Sequence, residues 1–183
     1  MSKLNWEKLE SKYLVKEKWA TLRVDTCRMP NGTLIDDYYV LEYPDWVNVI
    51  AITEENKVIL IKQYRHGAGE VILEIPGGCI DPGETPDEAV ARELMEETGY
   101  TFDSIEPIAS VYANPSTSFN KTWSYLARGG RKVAEQHLDG REEIEVFEVS
   151  LDELKSLLLD NQFPQSLHAS AIFYALVKLG CIK

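Results

Sequence analysis

A strand, a glycine-rich loop and a capped helix follow one another between residues 71 and 99, and this succession constrains the fold more than any other stretch. The apolar run VILEI leads into the loop PGGCIDPGE, after which a helix is predicted from Pro86 to Thr98. Thr85 is a suitable N-cap, and proline suits the first helical position because no N–H is needed there. Glu88 completes a capping box, and Gly99 supplies a left-handed stop. A strand joined to a helix in this way predicts an α/β fold.

The predicted helix carries a cluster of carboxylates. At 100° per residue, Glu93, Glu96 and Glu97 fall within an arc of about 100°. Like charges at these spacings cost about 0.2–0.5 kcal/mol per pair, so either water screens them or a cation lies among them. Oxygen ligands beside a glycine loop suit Mg²⁺ or Mn²⁺. The opposite side is expected to be the buried stripe, formed by Val90 with Leu94 and Ala91 with Met95.

The residues from Gly78 onward match a known pattern. Gly78 is followed by five residues and Glu84, then by seven residues and the run RELMEETGY that starts at Arg92. This resembles the Nudix box, G-x5-E-x7-R-E-U-x-E-E-x-G-U, and every specified polar and glycine position is met. Only Tyr100 departs from it, where an aliphatic residue is usual. The resemblance implies a Nudix-type α/β/α sandwich with a mixed sheet, over residues 47–183.

The resemblance also implies roles for the residues of the box. Nudix enzymes hydrolyse a diphosphate that links a nucleoside to a second group, with Mg²⁺ or Mn²⁺ neutralising the phosphates and lowering the pKa of bound water. The candidate metal ligands are the backbone of Gly77 or Gly78 and the side chains of Glu93, Glu96 and Glu97. Arg92 is expected to hold the glutamates in place. Glu84 either reaches a metal through water or is capped by nearby N–H groups.

Candidate substrate contacts follow from similarity to the ADP-ribose and ADP-sugar pyrophosphatase subgroup. Arg65 ends a QYR stretch whose arginine contacts the diphosphate in that subgroup, the alternative being a surface ion pair. Pro115 stands fifteen residues beyond the box, as in the subgroup, but Asn120 replaces the usual carboxylate. This departure puts ADP-ribose itself in doubt more than diphosphate hydrolysis. Trp46 can stack on adenine or pack in the core or in a dimer interface.

The acidic stretch HLDGREEIEVFEVS matches a loop whose glutamate positions the attacking water in the same subgroup. Glu142 is our first candidate for the general base, Glu143 the second, and Glu96 on the helix a third. Glu145 is expected to belong to the following strand, where it alternates with apolar residues. The alternative is that all of these are ordinary loop charges.

Residues 1–46 are predicted to form N-terminal strands outside the box domain. Strands over Ala20–Arg28 and Leu34–Glu42 flank a turn at Pro30-Asn31-Gly32 and predict a β-hairpin extension, which an amphipathic segment at about residues 6–15 precedes. In the resembling subgroup such strands commonly build a homodimer, which we expect here. Two further helices are predicted within residues 150–161 and 166–180.

Composition narrows the possible functions and compartments. The net charge of −11 argues against binding to nucleic acid polymers, and the chain has no apolar run of about 18 residues to span a membrane. Isolated Cys27, Cys79 and Cys181, with no apolar signal core, favour a cytoplasmic protein. The leading function is Mg²⁺-dependent hydrolysis of an ADP-sugar such as ADP-ribose. The alternatives are a Nudix module that senses nucleotide sugars without turnover, or hydrolysis of a GDP-sugar, NADH or a dinucleoside polyphosphate.

Overall fold

A computed structural model describes residues 3–140 and 142–182. They form two compact units, residues 3–44 with 112–121, and residues 45–111 with 122–140 and 142–182. The strands are β1 (Glu7–Glu17), β2 (Ala20–Arg28), β3 (Leu34–Glu42), β4 (Trp46–Thr53), β5 (Lys57–Arg65), β6 (Glu70–Glu74), β7 (Tyr100–Thr101), β8 (Ser104–Tyr112), β9 (Lys121–Lys132) and β10 (Ile144–Ser150). The helices are α1 (Pro86–Thr98), α2 (Leu151–Leu159) and α3 (Ser166–Lys178).

The N-terminal unit is built on a three-stranded antiparallel sheet in the order β1-β2-β3. The predicted hairpin of β2 and β3 is confirmed with its bounds, and Gly32 takes the positive φ of 88° that its turn requires. The amphipathic segment before it is a third strand, β1, which pairs antiparallel with β2 from Glu7 to Glu17. Residues 112–121 join this unit, where the N–H of Leu41 donates to the carbonyl of Thr117 at 2.7 Å.

The C-terminal unit contains a mixed sheet with helices on both faces, as the resemblance implies. The strand order is β10-β5-β4-β9-β7, with β6 beside β5 and β8 beside β9. β4 and β9 run parallel, whereas β4 and β5 run antiparallel. Alternate residues of β4 serve opposite layers, because side chains in a strand alternate between faces. Val49 packs with residues of α1, and Ile50 packs with residues of α3.

Helix α1 begins and ends where the sequence predicts. Thr85 and Glu88 form the capping box, and Gly99 ends the helix with φ 75°. The predicted buried stripe is partly wrong, because Ala91 is exposed and Ala89 is buried instead. The buried stripe therefore includes Glu97, which is only 3% exposed. The carboxylate face is not opposite the core but borders it.

The helices after the sheet also follow the prediction. Ser150 caps α2, and Glu153 completes its capping box. Helix α3 packs its buried residues, among them Ile172 and Leu176, against the sheet. Among the described residues, none of the helices has the length and apolar character needed to cross a membrane.

Candidate active site

The glycine loop between β6 and α1 is held against both β4 and the helix. The N–H of Val49 donates to the carbonyl of Pro76 at 3.0 Å, and the N–H of Val47 donates to that of Gly78 at 2.9 Å. The N–H of Gly77 donates to Oε2 of Glu97 at 2.8 Å. Gly78 lies so close to Glu93 that a Cβ at this position would overlap the Glu93 carboxylate. The glycines therefore let the loop backbone touch two carboxylates of α1.

Arg92 connects the loop with the exposed side of the carboxylate cluster. Its guanidinium donates to both carboxylate oxygens of Glu84, at 2.8 and 2.9 Å. One of its Nη atoms also contacts Glu93 at 2.9 Å and Glu96 at 3.0 Å, and the other donates to the carbonyl of Cys79 at 2.9 Å. Glu84 additionally accepts from the N–H of Asp81 at 3.0 Å. Arg92 is thus placed where it can fix the loop and the glutamates relative to each other.

Two carboxylates of the cluster are in an environment that disfavours negative charge. Burial raises the pKa of Glu93 to about 6, despite the attraction of Arg92. Burial likewise raises the pKa of Glu97 well above its ordinary value, against the hydrogen bond from Gly77, and the charges of Glu93 and Glu142 add to this effect. A cation between these carboxylates would relieve both the lost hydration and the mutual repulsion.

The donor set fits a hard divalent cation that the substrate helps to bind. No three His, Cys, Asp or Glu side chains converge into a ready-made cage within the part of the chain that the structure describes. Such cages are not required, because Mg²⁺ is usually held by one or two carboxylates together with waters and substrate phosphates. The carbonyl of Gly78 already accepts from Val47, whereas that of Gly77 accepts no hydrogen bond from the described residues. The carbonyl of Gly77 is therefore better placed than that of Gly78 to bind a metal ion.

Arg65 lies beside this cluster and is held by a buried partner. Its guanidinium donates to both oxygens of Glu74, with Nη2 at 2.6 Å and Nε at 3.0 Å. The Arg65 side chain is 41% exposed, whereas that of Glu74 is 1% exposed. Gln63 donates a further bond to Glu74 at 3.3 Å. Arg65 is therefore paired with an acidic neighbour, as in the alternative prediction, but that neighbour is buried and part of the guanidinium remains accessible.

The acidic loop before β10 approaches the same cluster. The charge of Glu142 contributes to the raised pKa of Glu93, Glu97 and Arg65, so it is near all three. Glu142 and Glu143 are both exposed, but Glu143 is not among the principal charges that raise the pKa of Glu93 or Glu97. Glu145 belongs to β10, where it pairs with Lys62. Residue 141 of this loop lies outside the described residues.

The structure shows what surrounds Trp46 and Pro115, the other two predicted substrate contacts. Trp46 is half-buried and hydrogen-bonds the thiol of Cys79 in the glycine loop. Pro115 belongs to the N-terminal unit and lines a cavity of about 260 Å³ there, together with Trp6, Tyr38 and Phe119. The stretch around Pro115 is anchored in that unit, because the hydroxyl of Tyr38 donates to the carbonyl of Ser116 at 2.8 Å.

Asn120, which replaces the carboxylate usual in the subgroup, is fully buried in the N-terminal unit. Its side-chain Nδ2 donates to the carbonyl of Pro44 at 3.2 Å, whereas its Oδ1 has no partner among the described residues. A carboxylate at this position could not donate to Pro44. The hydrogen bond to Pro44 is therefore a structural reason for an amide at position 120, separate from any effect on the substrate.

Three residues of the site escaped the sequence reasoning. Glu74 was detectable, because it is a charged residue at an inward position of the apolar run VILEI. His168 is buried in α3 and accepts a hydrogen bond at Nδ1 from the N–H of Ile75, at 3.3 Å. Gln136 donates to the carbonyls of Glu97 and Ile144. The last two contacts join segments far apart in sequence, and no local pattern signals them.

Comparison with known proteins decides the family. The profile of the NUDIX domain matches residues 42–170, which is well over half of the chain. The chain is a member of the Nudix family. A second profile, the nucleoside diphosphate sugar hydrolase N-terminal domain, matches residues 6–41. As a Nudix protein with intact box carboxylates, it is a pyrophosphohydrolase, and enzymes of this family generally use divalent metal ions.

Relatives of this Nudix hydrolase match over almost its full length. The ADP-ribose pyrophosphatase of Bacillus subtilis (strain 168) is 34% identical over 93% of this chain and 95% of its own. The methanol dehydrogenase activator of Bacillus methanolicus is 32% identical over 95% of both chains. A solved structure described as an ADP compounds hydrolase superposes with a TM-score of 0.85 over 100% of both chains, at 24% identity. This last likeness supports the fold alone.

Proposed function

We propose that this protein hydrolyses the diphosphate bond of an ADP-sugar such as ADP-ribose, giving AMP and a sugar phosphate, with Mg²⁺ as its usual metal and Mn²⁺ as a substitute. The observation that carries the proposal is the pair of carboxylates against the glycine loop, half-buried Glu93 and buried Glu97. The N-terminal domain profile and the similarity to an ADP-ribose pyrophosphatase support the choice of substrate class.

The proposed metal ligands are Glu93 and Glu97, with Glu96 completing the coordination and Gly77 supplying the backbone carbonyl. When bound, the metal would neutralise phosphate charge and make a bound water more acidic. Glu96 is the most exposed of the three glutamates, with 41% of its side chain accessible, so it is best placed to bind through water. Arg92, Glu84 and Gly99 hold the helix and the loop in place rather than contacting substrate.

The proposed substrate contacts differ in how well the structure supports them. Arg65 is supported best, because Glu74 fixes its orientation and leaves part of its guanidinium accessible to a diphosphate. Trp46 is half-buried against Cys79, and we propose that its exposed part stacks on the adenine base of the substrate. Pro115 is proposed only on the strength of its position after the box.

We propose Glu142 as the general base. Its influence on Glu93, Glu97 and Arg65 supports it over Glu143, because a base must lie near both the metal-bound water and the diphosphate. Glu96 is the remaining candidate, but Arg92 already engages it at 3.0 Å. A carboxylate that must accept a proton is less suited to this task when a guanidinium stabilises its charged form.

We also propose a cytoplasmic homodimer. All eleven residues of β1 are exposed, including apolar Leu9, Leu14 and Val15, and a second copy would cover them. The three cysteines are free, which suits a reducing compartment. Light scattering at micromolar concentration tests the dimer, and a mass near 20.8 kDa would refute it.

A turnover screen with product identification tests the proposed reaction. ADP-ribose, a GDP-sugar, NADH and a dinucleoside polyphosphate are each incubated with Mg²⁺, with Mn²⁺ and with a chelator. We expect the highest kcat/KM with ADP-ribose or another ADP-sugar, AMP among the products, and no turnover with the chelator. Binding of ADP-ribose without turnover of any substrate would support the nucleotide-sugar-sensing alternative. The relative named as a methanol dehydrogenase activator makes this measurement necessary, because its similarity to this chain is almost as high.

A further inference from the structure

The C-terminal end of α1 is covered by the segment that follows β9. The last carbonyls of a helix have no partner within the helix, and α1 has no basic residue in its last turn. The N–H groups of Val133 and Ala134 both donate to the carbonyl of Gly99, at 2.9 and 3.1 Å. The N–H of His137 donates to the carbonyl of Glu96 at 2.8 Å. The segment 133–137 thus supplies the donors that the helix lacks.

Gln136 adds a link to a second element. Its side-chain nitrogen donates to the carbonyl of Glu97 at 2.7 Å and to the carbonyl of Ile144 at 3.2 Å. Glu97 belongs to the helix that bears the proposed metal ligands, and Ile144 is the first residue of β10. One amide group therefore uses both of its N–H bonds to join the end of α1 to the start of β10.

The close contact between the segment and the helix is also built into Gly99. A Cβ at this position would overlap the carbonyl of Ala134, so the segment approaches the helix end as closely as a glycine allows. Gly99 thus has two reasons to be glycine, its φ of 75° and this contact. The glycine contact and the Gln136 bonds are separate observations of the same docking.

We propose that Gln136 is a positioning residue for the hydrolytic reaction, which fixes the start of β10 and so holds Glu142 against the carboxylate end of α1. Ile144 is only two residues beyond Glu142, so a clamp on its carbonyl restricts where the loop can place that carboxylate. The inference rests on the proposed function, because the position of Glu142 matters for turnover only if this site activates water. A shift of about 1 Å in a reacting group can cost about 10²-fold in rate.

The test compares Q136M with a matched control, Q162M. Methionine keeps the length and volume of glutamine and removes both N–H donors. Gln162 makes the same type of bond, from Nε2 to the carbonyl of Asp160 at 3.0 Å, but in the connection between α2 and α3. Steady-state kinetics with the best substrate of the screen, Mg²⁺ titration, and hydrogen exchange of the amides of residues 142–144 are measured for both variants and the wild type.

For Q136M we expect kcat to fall about 10- to 100-fold, with KM and the Mg²⁺ midpoint changed by less than about threefold. The amides of residues 142–144 should exchange at least about fivefold faster, because the clamp no longer opposes local opening. Q162M should match the wild type in every measurement. If Q136M does not fold, Q136N, whose amide is one methylene too short to reach both carbonyls, replaces it with the same expectations.

Either of two results would overturn the inference: a kcat of Q136M within twofold of the wild type, or unchanged exchange at residues 142–144. A loss of Mg²⁺ affinity as large as the loss of kcat would also overturn it, since Gln136 would then support the metal ligands and not the base. If the wild type turns over no diphosphate substrate, the proposed function fails. The exchange comparison still decides separately whether Gln136 restrains the start of β10.

Discussion

His168 provides a prediction whose magnitude can be worked out from the structure. Its imidazole is 7% exposed and accepts a hydrogen bond at Nδ1 from the N–H of Ile75, immediately before the glycine loop. Burial, and then the positive charge of Arg65, lower the pKa of His168 to about 3. The folded protein therefore keeps this imidazole neutral at pH values where the unfolded chain protonates it.

The sign and the size of the effect follow from linkage. Between pH 6.5 and 3 the unfolded chain binds a proton that the folded protein does not, so the free energy of unfolding decreases as the pH falls. The slope is at most about 1.4 kcal/mol per pH unit, which amounts to about 2 kcal/mol between pH 7 and pH 5. Above pH 7 both states are neutral at this residue, and the contribution no longer changes with pH.

Urea unfolding of the wild type and of H168N at pH 7, 6 and 5 tests this prediction. Asparagine keeps an oxygen acceptor for the N–H of Ile75 but cannot be protonated. We expect the wild type to lose about 2 kcal/mol more than H168N over this range. The comparison is needed because the raised pKa of Glu93 and Glu97 acts in the opposite direction. Parallel curves, within about 0.5 kcal/mol, would show that the native imidazole protonates normally and would refute the reasoning.

Three further predictions concern the active site. E97Q should lower turnover at least about 10²-fold and weaken Mg²⁺ binding. The metal-free variant should stay folded, because the substitution removes a carboxylate whose burial disfavours its charge. Normal activity of E97Q at saturating Mg²⁺ would contradict the ligand assignment. E142Q should lower kcat about 10²- to 10⁴-fold at unchanged Mg²⁺ affinity, whereas E143Q should be milder; the reverse order in kinetic assays would transfer the base role to Glu143. R65K should raise KM about tenfold, because lysine cannot keep the two bonds to Glu74 and also contact a diphosphate. R131K, at an exposed arginine paired with Asp103, is its control, and an equal effect of both would argue against a substrate role for Arg65.

The parts of the fold that the sequence predicts well have local signals. Helix α1 begins and ends as predicted because Thr85, Glu88 and Gly99 determine its ends within a few residues. Which face of the helix is buried depends on the elements that pack against it, and these are not visible in the local sequence. Ala89 contacts the core and Ala91 does not, although both are small apolar residues of the same helix. Because the sequence does not show which face of the helix is buried, it does not show that Glu97 is buried, and this burial is what raises its pKa.

The parts that sequence reasoning missed depend on contacts between distant segments. Glu74 holds Arg65 across the β5–β6 hairpin, and His168 reaches Ile75 over more than 90 residues. The strand β1 was missed as a strand for a related reason. Its charged and apolar residues suit either a helix or an edge strand, and only pairing with β2 selects between them.

The position of the carboxylates within α1 explains why contacts from outside the helix matter for the proposed metal site. Glu93, Glu96 and Glu97 lie in the second half of the helix, where the negative end of the helix dipole disfavours further negative charge. No basic residue of the last turn offsets this. Compensation comes instead from groups outside the helix: Arg92 reaches back to the loop, Gly77 donates to Glu97, and the segment 133–137 covers the free carbonyls. These donors satisfy the backbone and the outer oxygens but leave Glu93 and Glu97 with raised pKa values. A divalent cation arriving with a diphosphate would remove this remaining unfavourable electrostatic energy, so the same arrangement would give the proposed site its affinity for metal.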